Sequence, residues 1–282
     1  MLWMRVATGL VLAPLFVLGL FGLSPAGFSV FIGVFLLLSA WEWGGLCGFS
    51  RGGKVVWTAA LAVIATSIFV LERALPELRL LVSGGGAALW LLAAVLIFTF
   101  PRGRGVWTRV SVRTAVGIVT MIPAWSALTL LQARAGGPWL VLWTMVMVWG
   151  ADIGAYFAGH AYGRHKLMPA VSPGKTLEGA AGGLMLALIV SVLLAALGTF
   201  GSASVTIVLL VTALIVLASV FGDLLESLVK RVAGVKDSGS LLPGHGGVLD
   251  RVDGVLAAAP VSAVALTLLD IVPGGWMGRV LW

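Results

Sequence analysis

The sequence predicts an all-α polytopic integral membrane protein with about nine transmembrane helices and a cytoplasmic N-terminus. Of its 282 residues, 60% are hydrophobic and only 10% are charged, whereas a soluble domain has about 25% charged residues. The mean hydropathy is +1.10, and long apolar runs recur between short basic or Gly/Pro-rich breaks. The single cysteine excludes a disulfide within the chain and a cysteine-based zinc site.

Nine apolar runs are long enough to cross a bilayer, which takes about 20 residues of helix. The predicted spans are 6–23, 28–46, 55–71, 87–100, 114–131, 138–158, 179–200, 204–225 and 255–272. The first run follows Arg5, as the core of a secretory signal would. It is long for a signal core and further apolar helices follow it, so we interpret it as a span.

The basic residues predict the orientation of these spans. With nine spans, 14 of the 18 Lys and Arg residues fall on the side of the N-terminus. The remaining 4, on the other side, are Arg73, Arg79, Arg134 and Arg279. By the positive-inside rule the N-terminus is cytoplasmic and the C-terminus is outside. The net charge of +7 therefore reflects orientation in the membrane and not nucleic-acid binding.

The acidic residues divide the chain into two parts. Seven of the eleven lie between Asp152 and Asp253. We therefore predict a transmembrane scaffold at 1–135 and a catalytic transmembrane region at 136–282, with its site at the cytoplasmic face. Ionised carboxylates in apolar helices cost several kcal/mol by most scales and are rare without a role. Glu42, between Trp41 and Trp43, stays undecided, because interfacial aromatic residues surround it.

Two acidic pairs flank a polar loop near the end of this region. Asp223 and Glu226 are three residues apart and Lys230 follows four later, so all three share one helical face. Asp250 and Asp253 form the second pair. Carboxylates from two helix ends suit a hard cation such as Mg²⁺, which takes one or two of them while phosphates and water complete the shell. Four bases surround the same place and suit a polyphosphate: Lys230, Arg231, Lys236 and Arg251.

Two further segments could contact phosphate. Gly244, Gly246 and Gly247 flank His245 in the polar loop, where backbone N–H groups can cradle an anion; a plain flexible loop is the alternative. Ser172, Lys175 and Thr176 precede a span. Their Gly-Lys-Thr is not a P-loop, because Pro169 stands where that motif needs glycine. Ser172 and Thr176 could cap the next helix and form an anion site with Lys175; anchoring and capping alone are the alternative.

The polar loop and its flanks resemble the signature of the phosphatidate cytidylyltransferases, also called CDP-diacylglycerol synthases. The resemblance runs through SLVKRVAGVKDSGSLLPGHGGVLDRVD at 227–253, and it extends to 222–227, 152–156 and 172–179. Three positions depart from the family pattern: Leu177 replaces a usual Trp, Gly254 a common Ser, and His160 a basic or Gly-type residue. None of these departures removes a charged group that we assign to the chemistry.

This resemblance implies a reaction and a setting. CTP and phosphatidic acid would give CDP-diacylglycerol and pyrophosphate in phospholipid biosynthesis, with Mg²⁺ as cofactor. The family also implies a second cation such as K⁺, a homodimer, and the inner membrane of a bacterium.

The residues and the resemblance together predict a site with three sets of side chains. The expected metal ligands are Asp223 and Asp250, supported by Glu226, Asp253, Asp237 and Asp152. The expected catalytic groups beside these two aspartates are Lys230, Arg231, Lys236, Arg251 and His245. The expected substrate-binding residues are Ser172, Lys175, Thr176, Ser227, Gly244, Gly246 and Gly247.

Two alternatives belong to other functional classes. A secondary transporter or ion channel would also carry intramembrane acids and broken helices. Against it, the polar residues gather at one membrane edge and no paired repeat is evident. A related transferase that uses another lipid or polyprenyl phosphate is the second alternative. A purely structural scaffold is disfavoured by the density of charge after Asp152.

Overall fold

The architecture comes from a computed structural model that describes residues 2–242, 244 and 246–274, with side chains from residue 10 onward. Ten helices in the described part follow one another: α1 (Leu2–Gly22), α2 (Pro25–Leu46), α3 (Arg51–Ala74), α4 (Leu78–Phe98), α5 (Arg104–Trp107), α6 (Val110–Gln132), α7 (Gly137–Tyr162), α8 (Leu177–Ala196), α9 (Val205–Ala233) and α10 (Leu249–Leu268). Two short strands, β1 (Lys166–Met168) and β2 (Ser172–Thr176), form an antiparallel hairpin between α7 and α8.

The predicted all-α polytopic class is confirmed. Within the described residues, eight helices are long and apolar enough to cross a membrane, and α1 adds the shorter apolar segment Leu10–Gly22. The β-hairpin was not predicted, because its polar sequence has no alternating apolar pattern.

Three predicted helix boundaries are wrong. Helix α4 begins at Leu78, whereas the predicted span began only at residue 87, after the run Gly84, Gly85 and Gly86. A methyl group on Gly86 would overlap Pro123 of α6, so this glycine allows close helix packing instead of a break. Helix α9 extends to Ala233, and α10 already begins at Leu249. Both acidic pairs therefore lie inside helices.

Small residues bring the site-bearing helices into close contact. A methyl group on Gly183 of α8 would meet the carbonyl oxygen of Ala151 in α7, and one on Gly222 of α9 would meet that of Asp253 in α10. Such contacts let backbones approach closely in a membrane. Buried hydroxyl pairs join further helices, with Thr144 Oγ1 2.7 Å from Ser262 Oγ. Asp223 directly follows Gly222 in the sequence, so it lies beside the point where α9 and α10 approach each other closely.

Candidate active site

The C-terminal half of α9 carries the centre of the site. Lys230 Nζ lies 2.6 Å from Glu226 Oε2 and 2.6 Å from Asp250 Oδ1. The Glu226 side chain is 1% exposed and that of Asp250 is 7% exposed. The predicted shared face of Glu226 and Lys230 is present, and the contact with Asp250 joins α9 to the start of α10.

Asp223 lies one turn before Glu226 and is paired with a different lysine. Its Oδ2 forms an ion pair with Nζ of Lys175, and Ser227 Oγ donates to its Oδ1 at 3.2 Å. Lys175 reaches this position because it lies near the end of β2, one residue before Thr176, the N-cap of α8. The structure therefore brings Lys175 and Ser227, both predicted to bind substrate, next to Asp223, a predicted metal ligand.

Two more carboxylates lie near Asp223. Asp253 of α10 and Asp152 of α7 both experience electrostatic repulsion from Asp223, and Lys175 offsets part of it. The backbone N–H of Gly254 donates to Asp253 Oδ1 at 2.7 Å. Carboxyl groups from α7, α9 and α10 thus converge, and Lys175, Lys230 and Arg251 are the cations near them.

This donor set fits a hard cation that is shared with a substrate. The ligands are carboxylate oxygens, and Glu226 Oε1 is buried without a hydrogen-bond partner in the described part of the chain. Among the described residues, no three His, Cys, Asp or Glu side chains form a complete protein-only metal site. Mg²⁺ commonly takes only one or two carboxylates and completes its octahedron with water and phosphate oxygens. The arrangement therefore fits a metal that arrives with a polyphosphate.

Glu42 is a buried acceptor that the sequence left undecided. It accepts hydrogen bonds from Val248 N at 3.1 Å and Leu249 N at 2.8 Å, at the start of α10. Ser238 Oγ also donates to it at 3.3 Å. The only signal in the sequence was an acid in an apolar run, and its partners lie about 200 residues away.

The β-hairpin is held to α8 by Glu178. This carboxylate accepts from Arg164 N at 3.1 Å and from His165 N at 3.2 Å, and His165 Nδ1 lies 2.6 Å from Oε1. Thr176 caps α8, since Gly179 N donates to its Oγ1 at 3.0 Å. The predicted cap is confirmed for Thr176, whereas Ser172 lies at the start of β2 and not at the helix terminus.

Two cavities meet at Asp152. A cavity of about 420 Å³ between α7, α8 and α9 has Asp152, Lys175 and Asp223 at its polar end. A second cavity of about 350 Å³ is mostly apolar and has Asp152, Asp250, Arg251 and Asp253 at one end. Asp152 lines both, so two ligands could meet there.

Several predicted residues lie at the edge of this arrangement. Arg231 is exposed, and its Nε donates to the carbonyl of Val171 at 3.2 Å. Lys236 and Asp237 are exposed in the loop after α9, as is Gly244. Gly246 and Gly247 contact Asp250: Gly247 N donates to Oδ2 at 2.8 Å, and a methyl group on Gly246 would lie 2.8 Å from the same atom. His245 lies outside the described residues.

Known proteins with related sequences are transferases. A model of the "Cytidylyltransferase family" matches residues 3–269. The chain is 42% identical to a phosphatidate cytidylyltransferase of Pseudomonas aeruginosa over 94% of this chain and 97% of the relative. It is 32% identical to one of Haemophilus influenzae, over 92% and 96%, and 37% identical to one of Brucella suis, over 90% and 89%.

Proposed function

This chain belongs to the cytidylyltransferase family, and from that premise we propose that it makes CDP-diacylglycerol and pyrophosphate from CTP and phosphatidic acid. The observation that carries the proposal is the meeting of two cavities at Asp152: Lys175 and Asp223 line the first, and the second is lined almost entirely by apolar side chains away from its charged end. The cavity with Lys175 suits the phosphates of a nucleotide, and the more apolar cavity suits the tails of a membrane lipid. The two reactive phosphates would then meet among the carboxylates and lysines.

The reaction joins two polyanions, so its main demands are positioning and charge neutralisation. The lipid phosphate is already anionic near neutral pH and attacks the α-phosphorus of CTP without a strong general base. The bond between the α-phosphorus and the oxygen that bridges to the β-phosphate then breaks, and pyrophosphate leaves. Lys175, which is half-buried beside Asp223, would bind phosphate oxygens. Arg251, at the polar end of the apolar cavity, would bind the lipid phosphate.

The carboxylates would hold the metal that accompanies CTP. Asp223 and Asp250 are proposed as the leading ligands, and Glu226, Asp253 and Asp152 as the supporting ones. When bound, Mg²⁺ would neutralise phosphate charge and orient the triphosphate. Lys230 would keep Glu226 and Asp250 in place, since it contacts both. Lys236, Asp237 and Arg231 keep their predicted roles as part of the proposal. So does His245, which lies outside the described residues.

The protein is a multi-pass membrane protein, and we place its site at the cytoplasmic face of a bacterial inner membrane. CTP is a cytosolic substrate and the lipid must enter sideways from the bilayer, which supports this orientation together with the positive-inside rule. The homodimer and the second cation stay predictions from the family resemblance. Cross-linking in native membranes tests the first, and KCl titration of the activity tests the second.

The test uses the purified protein in detergent with radiolabelled CTP and phosphatidate, and mass spectrometry identifies the product. We expect CDP-diacylglycerol to form with Mg²⁺ and to stop when EDTA is added. A product formed only with another lipid or polyprenyl phosphate would identify a related transferase instead. Full activity in EDTA would overturn the metal assignment while leaving the transferase assignment intact.

A further inference from the structure

Glu42 reaches from the N-terminal part of the chain into the loop that precedes α10. It is 3% exposed, and its two carboxylate oxygens accept from Val248 N and Leu249 N. Within the described residues, the side chain of the N-cap residue Val248 forms no capping hydrogen bond. A carboxylate at a helix N-terminus satisfies orphan N–H groups and interacts favourably with the helix dipole. Glu42 therefore caps α10 from another helix.

The end of α2 that carries Glu42 is itself fixed by neighbouring helices. Trp43 Nε1 donates to the carbonyl of Arg113 at 2.9 Å, and Arg113 Nη1 donates to the carbonyl of Leu46 at 2.6 Å. Trp57 Nε1 donates to the carbonyl of Ala40 at 2.8 Å. Hydrogen bonds on both sides of Glu42 in the sequence hold this turn to α3 and α6. The carboxylate is therefore an anchored acceptor.

Asp250 holds the same loop from its other side. Ser238 donates its N–H to Asp250 at 3.1 Å and its hydroxyl to Glu42 at 3.3 Å. Gly247 donates its N–H to Asp250 at 2.8 Å, and a methyl group on it would overlap the Glu42 carboxylate. A methyl group on Gly239 would overlap Glu42 as well. The loop thus lies between two carboxylates, one from α2 and one from α10.

We infer that Glu42 is a positioning residue for the reaction proposed above: by capping α10 and holding Ser238, it sets the position of Asp250 and, through it, of Lys230. The inference rests on the proposed function. The α10 cap fixes the first turn of that helix, where Asp250 lies. The hydroxyl contact fixes the loop backbone that Asp250 also binds.

The charge of Glu42 is part of this role. A glutamine of the same size would turn an amide N–H₂ group toward one of the three donors. A buried donor that loses its acceptor costs about 1–3 kcal/mol, so the loop would move away or become mobile. Asp250 would then lose its donors from Ser238 and Gly247.

The first experiment compares Glu42→Gln with Glu77→Gln, whose parent residue is exposed between α3 and α4. Three quantities are measured on the purified full chain: CDP-diacylglycerol synthesis, trypsin cleavage after the exposed Lys236, and the thermal unfolding midpoint. For Glu42→Gln we expect activity to fall about tenfold and cleavage after Lys236 to rise about fivefold, while the midpoint falls by no more than a few degrees. Glu77→Gln should match the parent in all three.

A second experiment uses Gly239→Ala in a double-mutant cycle with Glu42→Ala. If Gly239 is required because Glu42 occupies its Cβ space, Gly239→Ala should lower activity in the parent and much less in Glu42→Ala, with a coupling of about fivefold. Ser238→Ala, which removes a single hydroxyl, should lower activity less than Glu42→Gln and still speed cleavage after Lys236.

The outcomes separate the possible failures. Unchanged activity and unchanged cleavage in Glu42→Gln would overturn the inference. An equal rise in cleavage at every trypsin site, together with a large fall in the unfolding midpoint, would also overturn it. Additive effects of Gly239→Ala and Glu42→Ala would also overturn it. If the parent protein makes no CDP-diacylglycerol, the proposed function fails, while the cleavage assay still shows whether Glu42 orders the loop.

Discussion

Lys230 joins α9 to α10, because its Nζ donates to Glu226 Oε2 of α9 and to Asp250 Oδ1 of α10, both at 2.6 Å. One cation thus lies between two carboxylates whose side chains are nearly buried. Of these two contacts, only the one with Glu226 is local in sequence, because Glu226 lies four residues before Lys230. The contact with Asp250 depends on how α9 and α10 pack.

Replacing Lys230 with methionine should therefore cost both stability and activity. Glu226 and Asp250 would be left buried without their cation, which destabilises a protein by about 3 kcal/mol. We expect a lower unfolding midpoint in detergent and loss of CDP-diacylglycerol synthesis. The double variant Lys230→Met/Glu226→Leu should recover part of the midpoint but no activity. A midpoint equal to that of the parent in Lys230→Met would contradict the assigned ion pair.

Asp223→Asn and Asp250→Asn should each reduce turnover more than about 100-fold, since each removes a charge assigned to the metal and phosphate site. Both variants should still insert into the membrane. The matched control is Asp270→Asn, because the Asp270 side chain is 92% exposed and contacts only Arg134 among the ion pairs described. Near-normal turnover in either of the first two purified variants would remove that residue from the ligand set.

The sequence predicted most of the fold, because its signals are local. Span length and hydropathy identified the helices, and the spacing of Glu226 and Lys230 placed them on one face. The wrong helix boundaries lie where one sequence feature is compatible with two different structures. The predicted span began after the glycines of α4, but these glycines lie inside the helix, and Gly86 permits the approach of Pro123. In a helix that packs in a membrane, a small residue often marks a contact.

The parts of the site that the sequence missed depend on contacts between distant segments. The pairing of Lys175 with Asp223 requires the hairpin between α7 and α8. The contacts of Glu42 with Val248 and Leu249 join residues more than 200 positions apart. The division at residue 135 stays a prediction, and Glu42 shows that a residue before it contacts the loop leading into α10. No periodicity or capping rule connects such segments.

Lys175→Ala should raise the apparent KM for one of the anionic substrates, and we expect it to be CTP. A lysine contact with phosphate is a charge-assisted hydrogen bond, so its loss should raise KM about tenfold. The control is Lys166→Ala, because Lys166 is exposed at the start of the same hairpin. Initial rates are measured while each substrate is varied in turn. Unchanged KM values for both substrates would remove Lys175 from the site.

Gly183→Val should disrupt the packing of α8 on α7. Its Cβ would meet the carbonyl oxygen of Ala151, next to Asp152, and such overpacking costs about 1–3 kcal/mol. The unfolding midpoint and the activity should fall together. Gly150→Ala in α7 is the control, since its methyl group would meet no other described atom within 4 Å. An equal midpoint for both variants would show that the close α7–α8 contact is not required.

Ala13→Trp tests whether the apolar cavity takes the lipid tails. Ala13 of α1 lines that cavity together with Leu12 and Phe16, so an indole there should fill space that acyl chains need. We expect KM for long-chain phosphatidate to rise about fivefold, which corresponds to about 1 kcal/mol, while KM for CTP stays unchanged. Leu15→Trp is the control, because Leu15 is 45% exposed and lies on the opposite face of α1. A phosphatidate with short chains should be affected less, since it needs less of the cavity. If Ala13→Trp and Leu15→Trp behave alike with both lipids, the tails bind elsewhere.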